Sequence, residues 1–279
     1  MALDLQALSK SVRTADWDIH YVEAGEGHPV ILLHGGGPGA TGWSNYAPNI
    51  EALARNFRVI APDMPGWGDS SPVDFDTLDH VDVLVQLLDA LKISKAAFVG
   101  NSMGGHNSVR FAIEHPDRIS HLITMGPPVG PDPVMFNAAG PSEGIRLMLG
   151  AYVDCNPESM KKLVEIMCFD GARFATPELI KERTEASLKR PDHLRNVATK
   201  IPKAPIPIWM DHSRLKEITA PALLIHGRDD RTAHFEGTLF LAARIPDSRA
   251  HLISKCGHWA QLEHADEFNR LVTDFVLNH

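Results

Sequence analysis

Residues 96–105 read Ala-Ala-Phe-Val-Gly-Asn-Ser-Met-Gly-Gly. Ala96–Gly100 is small and apolar throughout, as expected of a strand covered on both faces. A helical pattern begins directly after it, over Met103–His115. Between the two, Gly100-Asn101-Ser102-Met103-Gly104 forms a G-x-S-x-G. The meaning of that pattern is steric. A serine held in a strained strand-to-helix turn needs tiny flanking residues, so that strand and helix can pass closely. The turn lifts the Ser102 hydroxyl clear of the sheet and puts a helix N-terminus behind it. The backbone N–H of Met103 then points at a developing oxyanion. A glycine-rich turn with an incidental serine is the rival; the strand before, the helix after and Gly105 count against it.

Outward from this turn, short β-branched runs alternate with longer helical patterns, the signature of a mostly parallel sheet covered by helices. Strands are expected at Asp18–Glu23, Val30–His34, Phe57–Ala61, Ala96–Gly100, Ile119–Met125, Ala222–His226 and Arg249–Ser254. Helices are expected near Trp43–Arg55, Thr77–Leu91, Met103–His115, Phe235–Ala243 and Trp259–Leu277. Between about Gly126 and His212 the alternation stops, and helical stretches are separated by Pro-rich turns. An insertion of this size in a βα array is usually a cap over the site. The expected division is a core of residues 1–126 and 213–279 and a helical cap of residues 127–212. Five of the nine Met residues fall in the cap: Met135, Met148, Met160, Met167 and Met210. Singly each reads as core filling; as a group they favour an apolar or aromatic ligand.

The stretch after Val30–Leu33 is His34-Gly35-Gly36-Gly37-Pro38-Gly39. Glycines there let a backbone N–H approach a substrate oxygen, so Gly36 or Gly37 is expected to supply a second oxyanion donor beside Met103. A phosphate loop is excluded because no G-K-[ST] follows and the spacing is not G-x-G-x-x-G. His34 is expected to orient the loop. A serine hydroxyl also needs a base, and the base needs an acid to fix its tautomer. His258 lies in Lys255-Cys256-Gly257-His258-Trp259 after the final strand, within reach of the sheet top, and is preferred to His226, His251 and His264. The acid follows the preceding strand in Gly227-Arg228-Asp229-Asp230-Arg231. G-x-x-D spacing selects Asp230, leaving Asp229 as a turn or capping residue. Asp63, in DMPGWGDS, reads as a structural turn.

Composition excludes several classes. The 279 residues are 44% hydrophobic and 22% charged, with a net charge of −8 and no long Lys/Arg run, so nucleic acid is not an expected partner. Cys155, Cys168 and Cys256 are odd in number and form no C-x-x-C pair, which argues against a disulfide framework or structural zinc. The N-terminus has no apolar h-region, and no apolar run approaches the ~20 residues that span a bilayer. The expectation is a cytoplasmic protein with no membrane partner.

With these residues in place, the chain resembles the meta-cleavage product hydrolases, carbon–carbon bond hydrolases of the α/β-hydrolase superfamily, over nearly its whole length. The resemblance is carried by HGGGPGATGWSNY (His34–Tyr46), GNSMGG (Gly100–Gly105), HGRDDR (His226–Arg231) and SKCGHWAQLEHADEFNRLV (Ser254–Val272). It implies the α/β-hydrolase fold with a cap, a Ser102–Asp230–His258 triad, no cofactor or metal, and assembly as a homodimer or larger homo-oligomer. The implied substrate is of the 2-hydroxy-6-oxohexa-2,4-dienoate type, cleaved to 2-hydroxypenta-2,4-dienoate and a carboxylic acid. The resemblance also implies binding roles for Asn45, Asn101, Arg183 and Trp259, with Arg183 holding the 2-oxo and carboxylate end. The helical wheel agrees: at ~100° per residue Arg183 falls between Leu179 and Ile180, while Glu178, Lys181, Glu182, Glu185 and Lys189 gather opposite. An inward cation in an apolar cap needs a partner, and a substrate carboxylate would serve. Epoxide hydrolases and haloalkane dehalogenases share the fold but use an Asp where this chain has Ser102. A carboxylesterase with the same triad is the rival activity, and a non-catalytic ligand receptor the rival class. One departure stands out: the family often continues with Val-Pro after the position of Arg231, and this chain has Thr232-Ala233.

Overall fold

In the computed structural model, which describes residues 4–73, 78–130, 141–200 and 210–279, the alternation becomes a single sheet. Its strands are β1 Ser9–Arg13, β2 Asp18–Ala24, β3 Pro29–Leu33, β4 Arg58–Pro62, β5 Ala96–Asn101, β6 Ile119–Met125, β7 Ala222–Gly227 and β8 Ser248–Ile253. They lie in the order β1-β2-β4-β3-β5-β6-β7-β8. β1 and β2 pair antiparallel, as do β2 and β4; every other pair is parallel. Seven strands fall where the pattern predicts them. β1 has no such signal: its Ser-Lys-Ser-Val-Arg is polar and mostly exposed, and it is a strand because it pairs with β2 at the sheet edge.

Side-chain alternation divides the sheet between two apolar layers. Ile31, Leu33, Ile60, Phe98, Leu122 and Leu224 face one of them, with the helices His80–Ala90 and Met103–Glu114. Val30, Leu32, Val59, Val99, Ile123 and Ile225 face the other, with the helices Gly42–Leu53 and Ala265–Asn278. Phe98 stacks on Phe111 with ring centroids 4.4 Å apart, and burying each such ring is worth about 2–3 kcal/mol. The expected helix Trp259–Leu277 is two pieces, Ala260–Glu263 and Ala265–Asn278, broken where His264 leaves helical geometry (φ −125°, ψ 48°). The helix near Thr77–Leu91 runs over His80–Ala90, capped by Asp79, whose carboxylate accepts from Val81 N; Thr77 lies outside the described residues.

Between β6 and β7 the described residues form five α-helices: Glu143–Val153, Pro157–Met167, Gly171–Phe174, Pro177–Leu188 and Pro191–Lys200. Asn156 and Thr176 cap the two helices that begin with Pro157 and Pro177, proline being suited to a first helical position. These helices have their own apolar cluster, in which Met160, Leu163, Val164, Ile166, Met167 and Cys168 pack with Trp259. Met160 and Met167 are therefore core filling, and Met210 joins a sheet layer; Met135 lies outside the described residues. No described helix is long and apolar enough to cross a membrane.

Three histidines, His121 and His193 buried and His80 partly so, are held below the ordinary imidazole pKa. Burial, with nearby cations or histidines adding to it, holds His80 and His193 at about 3 and His121 at about 4, against an ordinary 6.5. These folded values lie below the unfolded one, so the unfolded chain takes up protons first as pH falls. Their contribution to stability is whole above about 6.5 and is lost progressively down to about 3. The melting temperature should fall by several degrees between about pH 7 and about pH 5, and the His80→Gln variant should show a shallower fall. A pH-independent melting temperature across that interval would contradict this account.

Candidate active site

The strand-to-helix turn at Ser102 is set by contact between backbones. A Cβ on Gly100 would lie 2.3 Å from the Gly104 carbonyl, and one on Gly104 would lie 2.3 Å from the Leu33 carbonyl oxygen. With no methyl group fitting at either place, the chain passes directly from β5 into the helix Met103–Glu114. Ser102 takes up the bend at φ 54°, ψ −118°, a conformation costing about 1–3 kcal/mol for a non-glycine residue. Its N–H donates to the Met125 carbonyl (2.7 Å), and its own carbonyl accepts from His106 N (2.9 Å). The strain is thus held by β6 on one side and the helix on the other.

The next strands bring up an acid and a base. Asp230 follows β7 and His258 follows β8; both are buried, and His258 Nδ1 lies 2.6 Å from Asp230 Oδ2. That contact puts the proton on Nδ1 and leaves Nε2 with a lone pair. His226 Nε2 lies 3.1 Å from the same Oδ2 and 2.9 Å from the Ala233 carbonyl, so it too carries a proton, while its Nδ1 faces Thr238 Oγ1 at 2.7 Å. Asp230 Oδ1 accepts from Thr232 N (2.7 Å) and Ala233 N (3.0 Å). Burial alone would raise the Asp230 pKa. The facing imidazole of His258 and the hydrogen bonds from His226 and His258 outweigh it and hold the carboxyl well below the usual range. Thr232-Ala233, the departure from Val-Pro, therefore keeps a working loop, and Ala233 supplies an N–H that a proline lacks.

Neighbouring contacts tie this pair to the serine. Asn101 Nδ2 donates to the His258 carbonyl (3.0 Å), and His258 N donates to the Met167 carbonyl (2.7 Å). Gly126, at φ 53°, lies against the ring: a Cβ there would meet His258 Nδ1 at 3.0 Å and Asp230 Oδ2 at 3.2 Å. Among the described residues the Ser102 hydroxyl makes no hydrogen bond; the carboxylate and the imidazole are joined to each other, and Asn101, the residue before the serine, links it to the His258 loop. Apart from His226, the rivals lie elsewhere. His251 contacts Glu267, His264 contacts the Lys255 carbonyl, and Asp229 accepts from Lys255 N. Asp63 accepts from Gly42 N and Asp69 N and faces His20, a structural turn.

The glycine loop lies across from Met103. Met64 N donates to His34 Nε2 (2.9 Å), so the proton is on His34 Nδ1, which donates to the Gly35 carbonyl (2.8 Å). Burial holds this imidazole below its ordinary pKa, consistent with a neutral, orienting role. A Cβ on Gly36 would meet the Met103 side chain at 3.2 Å, whereas Gly37 faces Arg183 Nη2 at 3.7 Å. Tyr152 Oη donates to the Gly36 carbonyl (2.7 Å), a contact across 116 positions of chain that no local pattern announces.

Arg183 is only 1% exposed. Its guanidinium sits over the Trp259 ring at 4.8 Å, and makes only long hydrogen bonds, to Ser44 Oγ (3.4 Å) and the Pro38 carbonyl (3.3 Å). Among the described residues no carboxylate pairs with it, and its Nε is buried without a partner. Burial lowers its pKa to about 10, leaving it a cation at neutral pH. Leu179 and Ile180 flank it half-buried, and Glu178, Lys181, Glu182, Glu185 and Lys189 are exposed, as the wheel predicts. Asn45 is buried beside Ser44, with Nδ2 3.5 Å from Asn101 Oδ1 and its own Oδ1 unpartnered among the described residues. Trp259, next to His258, joins the cluster of the inserted helices. Trp209 lies outside the described residues.

Comparison with known proteins gives the family. The sequence profile of the alpha/beta hydrolase family matches residues 30–271. The chain is 44% identical to a 2-hydroxy-6-oxo-6-phenylhexa-2,4-dienoate hydrolase of Comamonas testosteroni, covering 94% of this chain and 92% of that one. It is 41% identical to a 2-hydroxy-6-oxononadienedioate/2-hydroxy-6-oxononatrienedioate hydrolase of the same species, over 95% and 93%. A solved meta-cleavage product hydrolase from Pseudomonas fluorescens IP01 superimposes with a TM-score of 0.86 at 31% identity, covering 97% of this chain and 98% of that one. On fold, sequence and coverage together, this chain belongs to the meta-cleavage product hydrolases of the alpha/beta hydrolase family.

Proposed function

We propose that this protein hydrolyses the C5–C6 bond of 2-hydroxy-6-oxohexa-2,4-dienoate-type ring-fission products, with Ser102 as nucleophile, His258 as base and Asp230 as the acid that orients it. The observation that carries the substrate class is Arg183, a buried cation with an unpartnered Nε and no carboxylate opposite it among the described residues. Such a charge is costly until an anion arrives, and the substrate's carboxylate is that anion. Arg183 receives the 2-oxo-carboxylate end, with Asn45, Asn101 and Trp259 around it. The two relatives above act on dienoates with very different 6-substituents, phenyl in one and carboxylated in the other. Their common half is the part Arg183 would hold, so the proposal is confined to that half. Residues 127–212 act as the cap and residues 1–126 and 213–279 as the catalytic core. The three unpaired cysteines favour the cytoplasm; assembly as a homodimer or larger rests on the resemblance.

The chemistry follows from what a C–C bond requires. The leaving group is a carbanion, so the dienol first gives up its 2-hydroxyl proton as C5 gains one, and becomes a keto tautomer whose 2-oxo group can receive the electron pair. Arg183 stabilises that oxygen end. His258 removes the Ser102 proton as Oγ attacks the C6 ketone, and the N–H groups of Met103 and of Gly36 or Gly37 hold the oxyanion. The C5–C6 bond then breaks, its electrons pass to the 2-oxo end, and His258 returns the proton to that oxygen. This gives 2-hydroxypenta-2,4-dienoate and an acyl-Ser102. Water, deprotonated by His258, releases the carboxylic acid, so one water is consumed per bond cleaved.

Two experiments test this reading. Purified protein should bleach the yellow dienoate, and Ser102→Ala should lose about a thousandfold or more in kcat; full activity in that variant would remove the serine mechanism. Arg183→Gln should raise KM for dienoates about tenfold to a hundredfold, the worth of a charged hydrogen bond of ~1.5–3 kcal/mol, while sparing simple aryl esters. Equal losses on esters and dienoates, or a higher kcat/KM on esters throughout, would favour a carboxylesterase instead.

A further inference from the structure

We propose that Tyr152 is a positioning residue for the oxyanion loop: it pins the Gly36 carbonyl from the inserted helices, so that seating those helices sets the aim of the loop's N–H donors. This rests on the serine mechanism above, and it assigns a task to a residue that touches none of the reacting atoms.

Gly36 and Gly37 have no side chains to hold them, and both are partly open where Gly35 and Pro38 are buried. A glycine peptide in such a place can rotate freely. In a trans peptide the carbonyl and the following N–H point in opposite directions, so whatever holds a carbonyl also aims the next N–H. Three consecutive carbonyls of this loop are held. His34 Nδ1 takes that of Gly35, Tyr152 Oη that of Gly36 at 2.7 Å, and Trp67 Nε1 that of Gly37 at 3.1 Å. The first fixes the Gly36 N–H and the second the Gly37 N–H, so the clamp serves whichever of the two is the donor.

His34 and Trp67 belong to the sheet domain's own loops, whereas Tyr152 comes from the helix Glu143–Val153. The Gly36 oxygen can only accept, so the phenol donates, and its oxygen also faces His193 Nε2 of the helix Pro191–Lys200 at 3.4 Å. Tyr152 is 3% exposed, and burial pushes its phenol upward, so the donated proton stays on it at working pH. The same group of helices carries Arg183 and the Met167 carbonyl that receives His258 N. One rigid seating therefore positions the carboxylate receptor, the base loop and the oxyanion loop. Binding energy gained at the far end of the substrate is thereby used at the reacting carbon.

The test is Tyr152→Phe, which keeps the ring and deletes the donor. It is assayed on a dienoate and an aryl ester, and titrated with an arylboronic acid, whose serine adduct mimics the tetrahedral oxyanion. We expect kcat to fall about tenfold to a hundredfold with KM within about twofold. Boronate affinity should fall by the same factor as kcat/KM, and affinity for the 2-hydroxypenta-2,4-dienoate product should not change. Unchanged kcat and boronate affinity would overturn the proposal. So would a loss shared equally by KM, product affinity and melting temperature, which marks a merely structural tyrosine. If the wild-type protein turns over esters but no dienoate, the dienoate reading falls, and the ester and boronate data still decide the role of Tyr152.

Discussion

Two segments of backbone touch between Gly100 and Gly104 with no room for a methyl group, and the rest of the site follows from that contact. It forces β5 to turn sharply into its helix and puts Ser102 into a left-handed conformation that a serine would not choose. The cost, about 1–3 kcal/mol, is small beside the two apolar layers that lock the sheet on both faces. Because β3, β5, β6, β7 and β8 run parallel, they all end on the same side. The loops leaving them bring the glycine run, Ser102, Gly126, Asp230 and His258 to one edge, the usual location of a site in a parallel sheet.

Two buried charges at this edge are treated in opposite ways, and on the proposed mechanism the contrast separates the machinery from the receptor. Asp230 has four donors: Thr232 N and Ala233 N on one oxygen, His226 and His258 on the other. Arg183 is buried more deeply, yet among the described residues it has two long hydrogen bonds, the face of Trp259 and an idle Nε. A satisfied ion of this kind is a fixed part of the scaffold, whereas an unsatisfied one marks where a counter-ion must come from outside.

Much of this was legible in the chain because its causes are local. Small residues around Ser102 betray a close backbone approach. Apolar runs bounded by turns mark the inner strands, and the wheel of Pro177–Leu188 turns Arg183 inward. β1 was not legible, since its polar residues owe their strand state to pairing with β2. The break at His264 was missed because the apolar period runs through it. Tyr152 was invisible for a different reason: one aromatic residue in a helix looks like any other until folding brings it to a carbonyl in a glycine loop far away in sequence. His226 was weighed only as a rival base, because nothing in HGRDD tells that its ring lies on the far side of the carboxylate from His258. The cap methionines suggested a ligand surface, but Met160 and Met167 pack among their own helices.

The crowding around Asp230 also gives the proton traffic a direction. Both carboxylate oxygens are engaged by donors and the proton affinity of the group is suppressed, so on the proposed mechanism it cannot act as a reservoir. A proton taken up by the His258 ring at Nε2 has one way out, back through Nε2 toward the substrate. The aspartate works as a wall behind the imidazole, and a reaction that must hand its proton to a departing dienolate is thereby kept from leaking it backward into the protein.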